Sequence, residues 1–316
     1  MNDLEVQIGS FIEHGYLNLG SVVDKTTCTS LLKDIRAEQL LSPEIFLSET
    51  EFDQNPVYKG VNPVPGRNIL EHFQNKLDNI ESCDVVVSTL SRVLGDQYEI
   101  LNKKVICGVP ETWIPDWVLE RIRDNPVNNL GAYIKPEFRN ITYFYGIDFH
   151  QDIIDWPGRE LDFITLYVYL HEVDEQDAPL QVLSDSHRLG VDQFPHDLKI
   201  IDEESNRWHF KSAVTDDEIN CRNLTITGEA GNVGLWHSCT LHGTQPNKND
   251  TERLSLRYLI RKLPDSKGAA LDEINKRLEG GLFSEAMRQD LNKEGKAQLK
   301  KNYLYRKQQE KIEEPS

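Results

Sequence analysis

Apolar residues recur at helical spacing from the start of the chain. Leu4, Ile8, Phe11 and Ile12 put one apolar face on a helix over residues 4–14, and Gly15 follows as its C-cap. Tyr16-Leu17-Asn18-Leu19 then alternates as a short strand. The spacing predicts a second helix over Thr26 to Leu41, with Leu31, Leu32 and Ile35 inward and Asp24 or a nearby Thr as cap. Residues 42–66 carry Pro43, Pro56, Pro63, Pro65 and Gly66, which reads as a long loop or lid. A third helix is expected around Asn68 to Asn79. The apolar run Val85 to Leu94, closed by Gly95, is either a helix or a strand, with a helix through 88–94 preferred. Tyr98 to Leu101 and Val105 to Cys107 read as strands around a turn at Asn102.

From Tyr133 the period changes to two. Phe138 to Tyr145 alternates and is rich in β-branched and aromatic residues, and Asp162 to His171 (DFITLYVYLH) is the strongest strand pattern in the chain. Leu180 to Leu183, Leu224 to Thr227, Val233 to Ser238 and Leu254 to Arg261 are further strands. Residues 197–223 read as a polar insertion with strand fragments. Strands of this kind with Gly and Pro turns, behind an N-terminal helical layer, suggest a jelly-roll or sandwich core. Residues 1–264 are expected to form one such domain. Residues 265–316 are highly charged and helical in pattern, an extension packed on the domain or trailing from it.

Composition narrows the function. A net charge of −17 argues against nonspecific nucleic-acid binding, which needs a basic face. The acidic balance would suit a cationic substrate such as an amine, and a solvated acidic surface accounts for it equally. No basic cluster suited to the phosphates of an acyl-CoA stands out. The N-terminus lacks a signal-peptide pattern, and no apolar run is long enough to span a membrane. Five scattered cysteines without a CxxC pair read as reduced thiols, so the expected compartment is the cytoplasm. Oligomeric state is not legible.

The candidate chemistry centres on YFYGIDFHQDIIDW. His150 and Asp152 are two residues apart, so on an extended backbone they point to one side. One imidazole and one carboxylate are two thirds of a facial triad for non-haem iron, and a second histidine must complete it. His237 and His242, in GLWHSCTLHGTQPN, are the downstream candidates on strand-like segments. His187 reads as a structural residue of a turn and His171 as the polar exit of a strand. Arg253, Ser255 and Arg257 share one face of the last strand, and Arg253 follows His242 by 11 residues. An arginine pointing into an apolar barrel needs an anion. A guanidinium clamps a carboxylate with two parallel hydrogen bonds. Beside a metal site, a dicarboxylic cosubstrate such as 2-oxoglutarate meets that need, its keto-acid end on iron and its far carboxylate on the arginine. Arg257 is the rival for this role.

His150-Gln151-Asp152, DFITLYVYLHEVDEQDAPLQVLSDSHRLG and LWHSCTLHGTQPNKNDTERLSLRY together resemble the phytanoyl-CoA dioxygenase-like family of iron(II)/2-oxoglutarate oxygenases, over roughly residues 8–262. FIEHGYLNL is similar to that family's opening helix and strand. SDSHRLG departs from its PGSH turn, with Ser184-Asp185 in place of Pro-Gly. The resemblance implies a mainly β fold with flanking helices and a double-stranded β-helix (jelly-roll, cupin-like) core. It implies that His150, Asp152 and His242 bind Fe(2+), and that Arg253 and Thr244 hold 2-oxoglutarate. Thr165 and Tyr167, on one face of the strand after HxD, are further cosubstrate contacts. Lys103 or Lys104 could also reach the cosubstrate, though each reads first as a solvated lysine, and Trp113, Trp117 and Trp236 read as core. Trp156 is a candidate to line the pocket. Tyr143 and Tyr145 have the opposite parity to His150 and should face away from the metal unless a bulge intervenes. The implied activity is O2-dependent hydroxylation of a small-molecule C–H bond with release of succinate and CO2. A retained Asp152 disfavours halogenation. The same iron centre with another outcome, such as desaturation, demethylation, epimerisation or ring closure, and a non-catalytic jelly-roll binding protein are the alternatives.

Overall fold

Period-two alternation splits each central strand between two environments, and that split places the site. The structure, a computed structural model, describes residues 3–54, 66–123, 125–278 and 288–292. Its first half runs α1 (Asp3–His14), β1 (Tyr16–Ser21), α2 (Lys25–Glu38), α3 (Glu49–Gln54), α4 (Gln74–Glu81), α5 (Asp84–Leu94), β2 (Tyr98–Gly108), α6 (Asp116–Ile122), β3 (Val127–Asn129) and β4 (Thr142–His150). Its second half runs β5 (Phe163–Tyr169), β6 (Leu180–Ser184), β7 (Asp197–Asp202), β8 (Arg207–Lys211), β9 (Glu218–Ile226), β10 (Asn232–His237), β11 (His242–Thr244), β12 (Arg253–Lys262) and α7 (Ala270–Arg277).

The strands form one 12-stranded sheet in the order β1-β10-β5-β12-β2-β4-β11-β6-β9-β8-β7, with β3 on β4. Neighbours are antiparallel except β2 and β4, which run parallel. This is the jelly-roll expected from the sequence. Every residue of β5 is buried. Ile164, Leu166 and Val168 join the main core beneath the helices with Phe11, Leu31 and Leu90, whereas Tyr167 and Tyr169 pack on the opposite side. β12 divides the same way. Leu254, Leu256, Tyr258 and Ile260 belong to the helical side, and Arg253 and Arg257 reach a cavity on the other.

Local signals explain most boundaries. Asp24 caps α2, its carboxylate accepting the Thr27 N–H at 2.7 Å. α2 stops at Glu38, short of Leu41, because Gln39 is extended and buried, its amide donating to Phe138 O and Tyr143 Oη. The expected helix over 68–79 is a 3-10 turn, Ile69–His72, followed by α4. The turn expected at Asn102 is absent. β2 is continuous, and the irregular residue is a bulge at Leu101, opposite the Leu259–Ile260 step of β12. The polar insertion at 197–223 is an ordered meander of β7, β8 and β9, which buries Leu198, Trp208 and Phe210 against Phe149.

Of the lid expected over 42–66, the described part is the 3-10 turn Pro43–Ile45 and α3, and the remainder lies outside the described residues. In the charged extension, α7 packs Leu271 and Ile274 into the main core and Arg288 pairs with Phe194 as an isolated bridge. The KQQEKIEEPS end lies outside the described residues. No helix among the described residues is long and apolar enough to cross a membrane.

Gly15 ties the N-terminal layer to the site-bearing loops. It caps α1 at φ 70°, and a Cβ there would stand 2.3 Å from His187 Nδ1 and 2.7 Å from Thr240 Oγ1. Gly15→Ala combines left-handed strain with overpacking and is expected to cost about 2–4 kcal/mol. Urea unfolding checks it. A change within about 0.5 kcal/mol, the range of an ordinary surface substitution, contradicts this packing.

Candidate active site

β4 delivers the first histidine by way of two bulges. Ile147 and His150 span three residues opposite the two-residue step Thr244–His242 of β11, and Phe144 and Ile147 do the same opposite Asn129–Val127 of β3. Each bulge inserts one residue, and together they restore parity. Phe144, Ile147 and His150 therefore all line the cavity, while Tyr143 and Tyr145 face the main core. The HxD segment is not a continuous strand. Gln151 is extended, but Asp152 opens a 3-10 turn, Asp152–Asp155. The buried Gln151 side chain ties that turn down, donating to Gly190 O and Cys239 O and accepting the Asp192 N–H.

His242 on β11 stands directly opposite His150 on β4, with ring centroids 4.2 Å apart. Ligand atoms of His150, Asp152 and His242 all lie within 4.8 Å of one another, and among the described residues they are the one His/Cys/Asp/Glu group so placed. Each ring is set by its own strand. His150 Nδ1 is 3.0 Å from Asp148 O and His242 Nδ1 is 3.0 Å from Thr240 O. A carbonyl only accepts, so Nδ1 carries the proton in both rings and Nε2 is left as the lone-pair donor. Burial, with the opposing histidine for His150, lowers both imidazole pKa values and keeps the rings neutral, the form that binds metal.

Asp152 is held from several sides. Oδ2 accepts from Thr165 Oγ1 at 2.5 Å and Trp236 Nε1 at 2.9 Å, and Oδ1 accepts from Arg257. Burial pushes its carboxyl pKa up. Arg257, with the Thr165 hydroxyl, outweighs burial and holds it below the usual carboxylate range.

The cavity has a volume of about 380 Å³. Thr244, Tyr167, Arg253, Arg257, Lys104 and Arg288 share its wall with the triad. Arg253 is 1% exposed. Its Nη1 donates to Tyr167 Oη at 3.0 Å, and Nε has no partner among the described residues. Gly108 faces it across β12 and β2, where a Cβ would sit 3.0 Å from Nε. A buried guanidinium with an unsatisfied N–H, in a space kept open by glycine, suits the far carboxylate of a dicarboxylate.

Several roles differ from expectation. Thr165 donates to Asp152 and is not among the residues lining the cavity, whereas Tyr167 lines it and accepts from Arg253. His237, the rival histidine, lies away from the triad, packed on His187 with Nε2 against Asn275 Oδ1 and Nδ1 accepting the Cys239 N–H. Trp156 does not line the cavity but stacks under Arg159 beside Phe163. Lys103 does point away, to Gln74 and Glu81, whereas Lys104 is a cavity residue. Trp236 is buried core, as expected, and it also lines the cavity and donates to Asp152. The signal for it is its register opposite Thr165 on β5, which one sequence does not reveal. Asp185 takes the left-handed conformation, φ 70°, at the position where the family's turn has glycine.

Residues 135–255 match the family model described as Phytanoyl-CoA dioxygenase (PhyH). The chain is 28% identical over 122 residues to a protein of Stutzerimonas stutzeri named probable alpha-ketoglutarate-dependent hypophosphite dioxygenase, a match covering 36% of this chain and 38% of that protein. The chain thus spans well under half the length of this curated relative. Two structures of the epimerase SnoN share the fold. The complex with Fe3+, alpha ketoglutarate and nogalamycin RO has a TM-score of 0.51 at 15% identity, covering 82% of this chain and 83% of the other. The second, from nogalamycin biosynthesis, has a TM-score of 0.50 at 13% identity, covering 90% and 97%.

Trp236→Phe keeps the ring and removes the hydrogen bond to Asp152. Iron(II) affinity, read by competition with a chromophoric chelator, should fall about 10-fold, and a value within twofold of wild type contradicts a role for this bond. His237 gives a pH prediction. Burial pushes its pKa from 6.5 to about 4. Between those values the unfolded chain binds a proton that the native state refuses, so stability is lost as pH falls from about 6.5 to about 4. Metal-free His237→Gln should therefore close its stability gap to wild type by about 2–3 kcal/mol over that interval. Parallel pH profiles would contradict a neutral buried His237.

Proposed function

We propose that this chain, whose residues 135–255 match the phytanoyl-CoA dioxygenase family, is an iron(II)- and 2-oxoglutarate-dependent dioxygenase that hydroxylates an unactivated C–H bond of a small molecule. One observation carries the reading. A His-Asp-His cluster and a buried arginine without an anionic partner among the described residues open onto the same cavity.

In this reading Nε2 of His150 and of His242 and the Asp152 carboxylate hold the metal. Bound iron(II) supplies the redox centre at which oxidation of 2-oxoglutarate by O2 to succinate and CO2 is coupled to oxidation of the substrate. The protein's own part is positional. Arg253 takes the far carboxylate of 2-oxoglutarate, with Thr244 beside it on the wall. Tyr167 fixes the guanidinium, and the Thr165 hydroxyl and Trp236 N–H fix Asp152. Phe144, Ile147, Ile154 and Leu180 make the wall apolar and limit water around the reacting bond. Retention of Asp152 as a third ligand favours hydroxylation over halogenation.

Anaerobic titration of iron(II) and then 2-oxoglutarate into metal-free protein tests the reading through the weak visible charge-transfer band of the chelate. Wild type should show the band. Arg253→Met should need about 30- to 150-fold more 2-oxoglutarate, the equivalent of about 2–3 kcal/mol from a lost charge-assisted clamp, with iron affinity unchanged. Iron binding without the band contradicts 2-oxoglutarate as cosubstrate, and an unaltered titration in Arg253→Met contradicts the assignment of that residue.

A further inference from the structure

We infer that the cavity holds a second anion site, formed by Lys104 and Arg257, and that the substrate is a small organic acid whose oxyanion head docks there. The inference rests on the cofactor reading above, since it assigns Arg253 to 2-oxoglutarate and asks what the remaining cations do.

Lys104 on β2 and Arg257 on β12 are directly opposed strand partners, and both side chains reach the cavity wall. Like charges directly opposite each other across a sheet repel. Neither is exposed: Arg257 keeps 18% of its side-chain surface and Lys104 is part-buried. Lys104 makes no hydrogen bond or ion pair with any described residue, unlike its neighbour Lys103. Arg257 spends one N–H on Asp152, and the rest of its guanidinium fork has no partner among the described residues. Asp152 offsets one of these two part-buried charges, and the second is costly unless a ligand supplies an anion.

The other charges on the wall do not meet this need. Arg288 is already matched, its Nη1 on Asp155 at 2.7 Å and its Nε on Asp290 at 2.7 Å. Asp155 is mostly exposed and committed to Arg288. Asp152 is one carboxylate and is also the candidate metal ligand, so its charge is shared. The pair therefore leaves a local positive surplus in a chain whose net charge is −17. A guanidinium fork beside an ammonium fits a carboxylate, sulfonate or phosphonate. The apolar side chains of Phe144, Ile147, Ile154 and Leu180 on the same wall suit a hydrocarbon body attached to that head. The overall acidity, which alone would suit an amine, is a property of the outer surface.

The test uses protein loaded anaerobically with iron(II) and 2-oxoglutarate, at fixed ionic strength. The probes share one chain length: butyrate, butane-1-sulfonate and butylphosphonate against butan-1-ol and butylamine. Binding is read by perturbation of the chelate band and by ligand-observed NMR. At least one anion should bind 10-fold or more tightly than the alcohol and the amine. Lys104→Met should lose that preference while keeping wild-type affinity for iron and 2-oxoglutarate, and Lys104→Glu should favour the amine. Arg257 is left intact because it also touches Asp152. An alcohol or amine that binds as well as every anion, or anion binding unchanged in Lys104→Met, overturns the inference while the band still stands. If the band never forms, the cofactor reading fails by itself. NMR on metal-free protein then decides the second site, through an anion preference that Lys104→Met removes or leaves.

Discussion

Ionised groups taken out of water must find partners, and the interior face of this sheet carries more of them than any apolar fold needs. Asp152 is met by Thr165, Trp236 and Arg257. The two histidines are kept neutral by burial and locked by the carbonyls two residues before them. Arg253 is given room by Gly108 and orientation by Tyr167, and it meets no anion among the described residues. The satisfied groups read as a preset binding frame, and the unsatisfied ones mark where ligands complete it. Stability and function meet here, because a frame of this kind persists only on a scaffold rigid enough to hold it.

That scaffold is the two-sided sheet. The helices bury the even-numbered residues of β5 and β12, which frees the odd-numbered ones for chemistry. Gly15, Gln151 and the turn around Asp185 then link the N-terminal helix, the HxD turn and the loop before β11. The site is assembled from β2, β4, β5, β10, β11 and β12, so it depends on long-range register more than on any one segment.

Much of this was legible from the residues. Alternation in DFITLYVYLH located the central strand, the HxD spacing located the cluster, and the shared parity of Arg253 and Arg257 placed both on the cavity side. The remainder was hidden for physical reasons. A bulge at Leu101 and a turn at Asn102 give the same local pattern, and only pairing with β12 separates them. Two cancelling bulges in β4 leave the simple parity argument right while its premise of regular backbone fails. Trp236 and Lys104 looked like ordinary core and surface residues because their roles come from cross-strand partners, Thr165 and Arg257. In space His242 clusters with His150 and Asp152, and His237 packs against His187 and Asn275.

The central claim is that the metal is held by Nε2 of both histidines together with Asp152. Crystals grown anaerobically with iron(II), with anomalous diffraction collected on both sides of the iron edge, test it most directly. The account predicts one iron peak bonded to Nε2 of His150, Nε2 of His242 and a carboxylate oxygen of Asp152, with both Nδ1 atoms still on their backbone carbonyls. Iron elsewhere in the molecule, coordination through Nδ1, or no peak under saturating iron would contradict it.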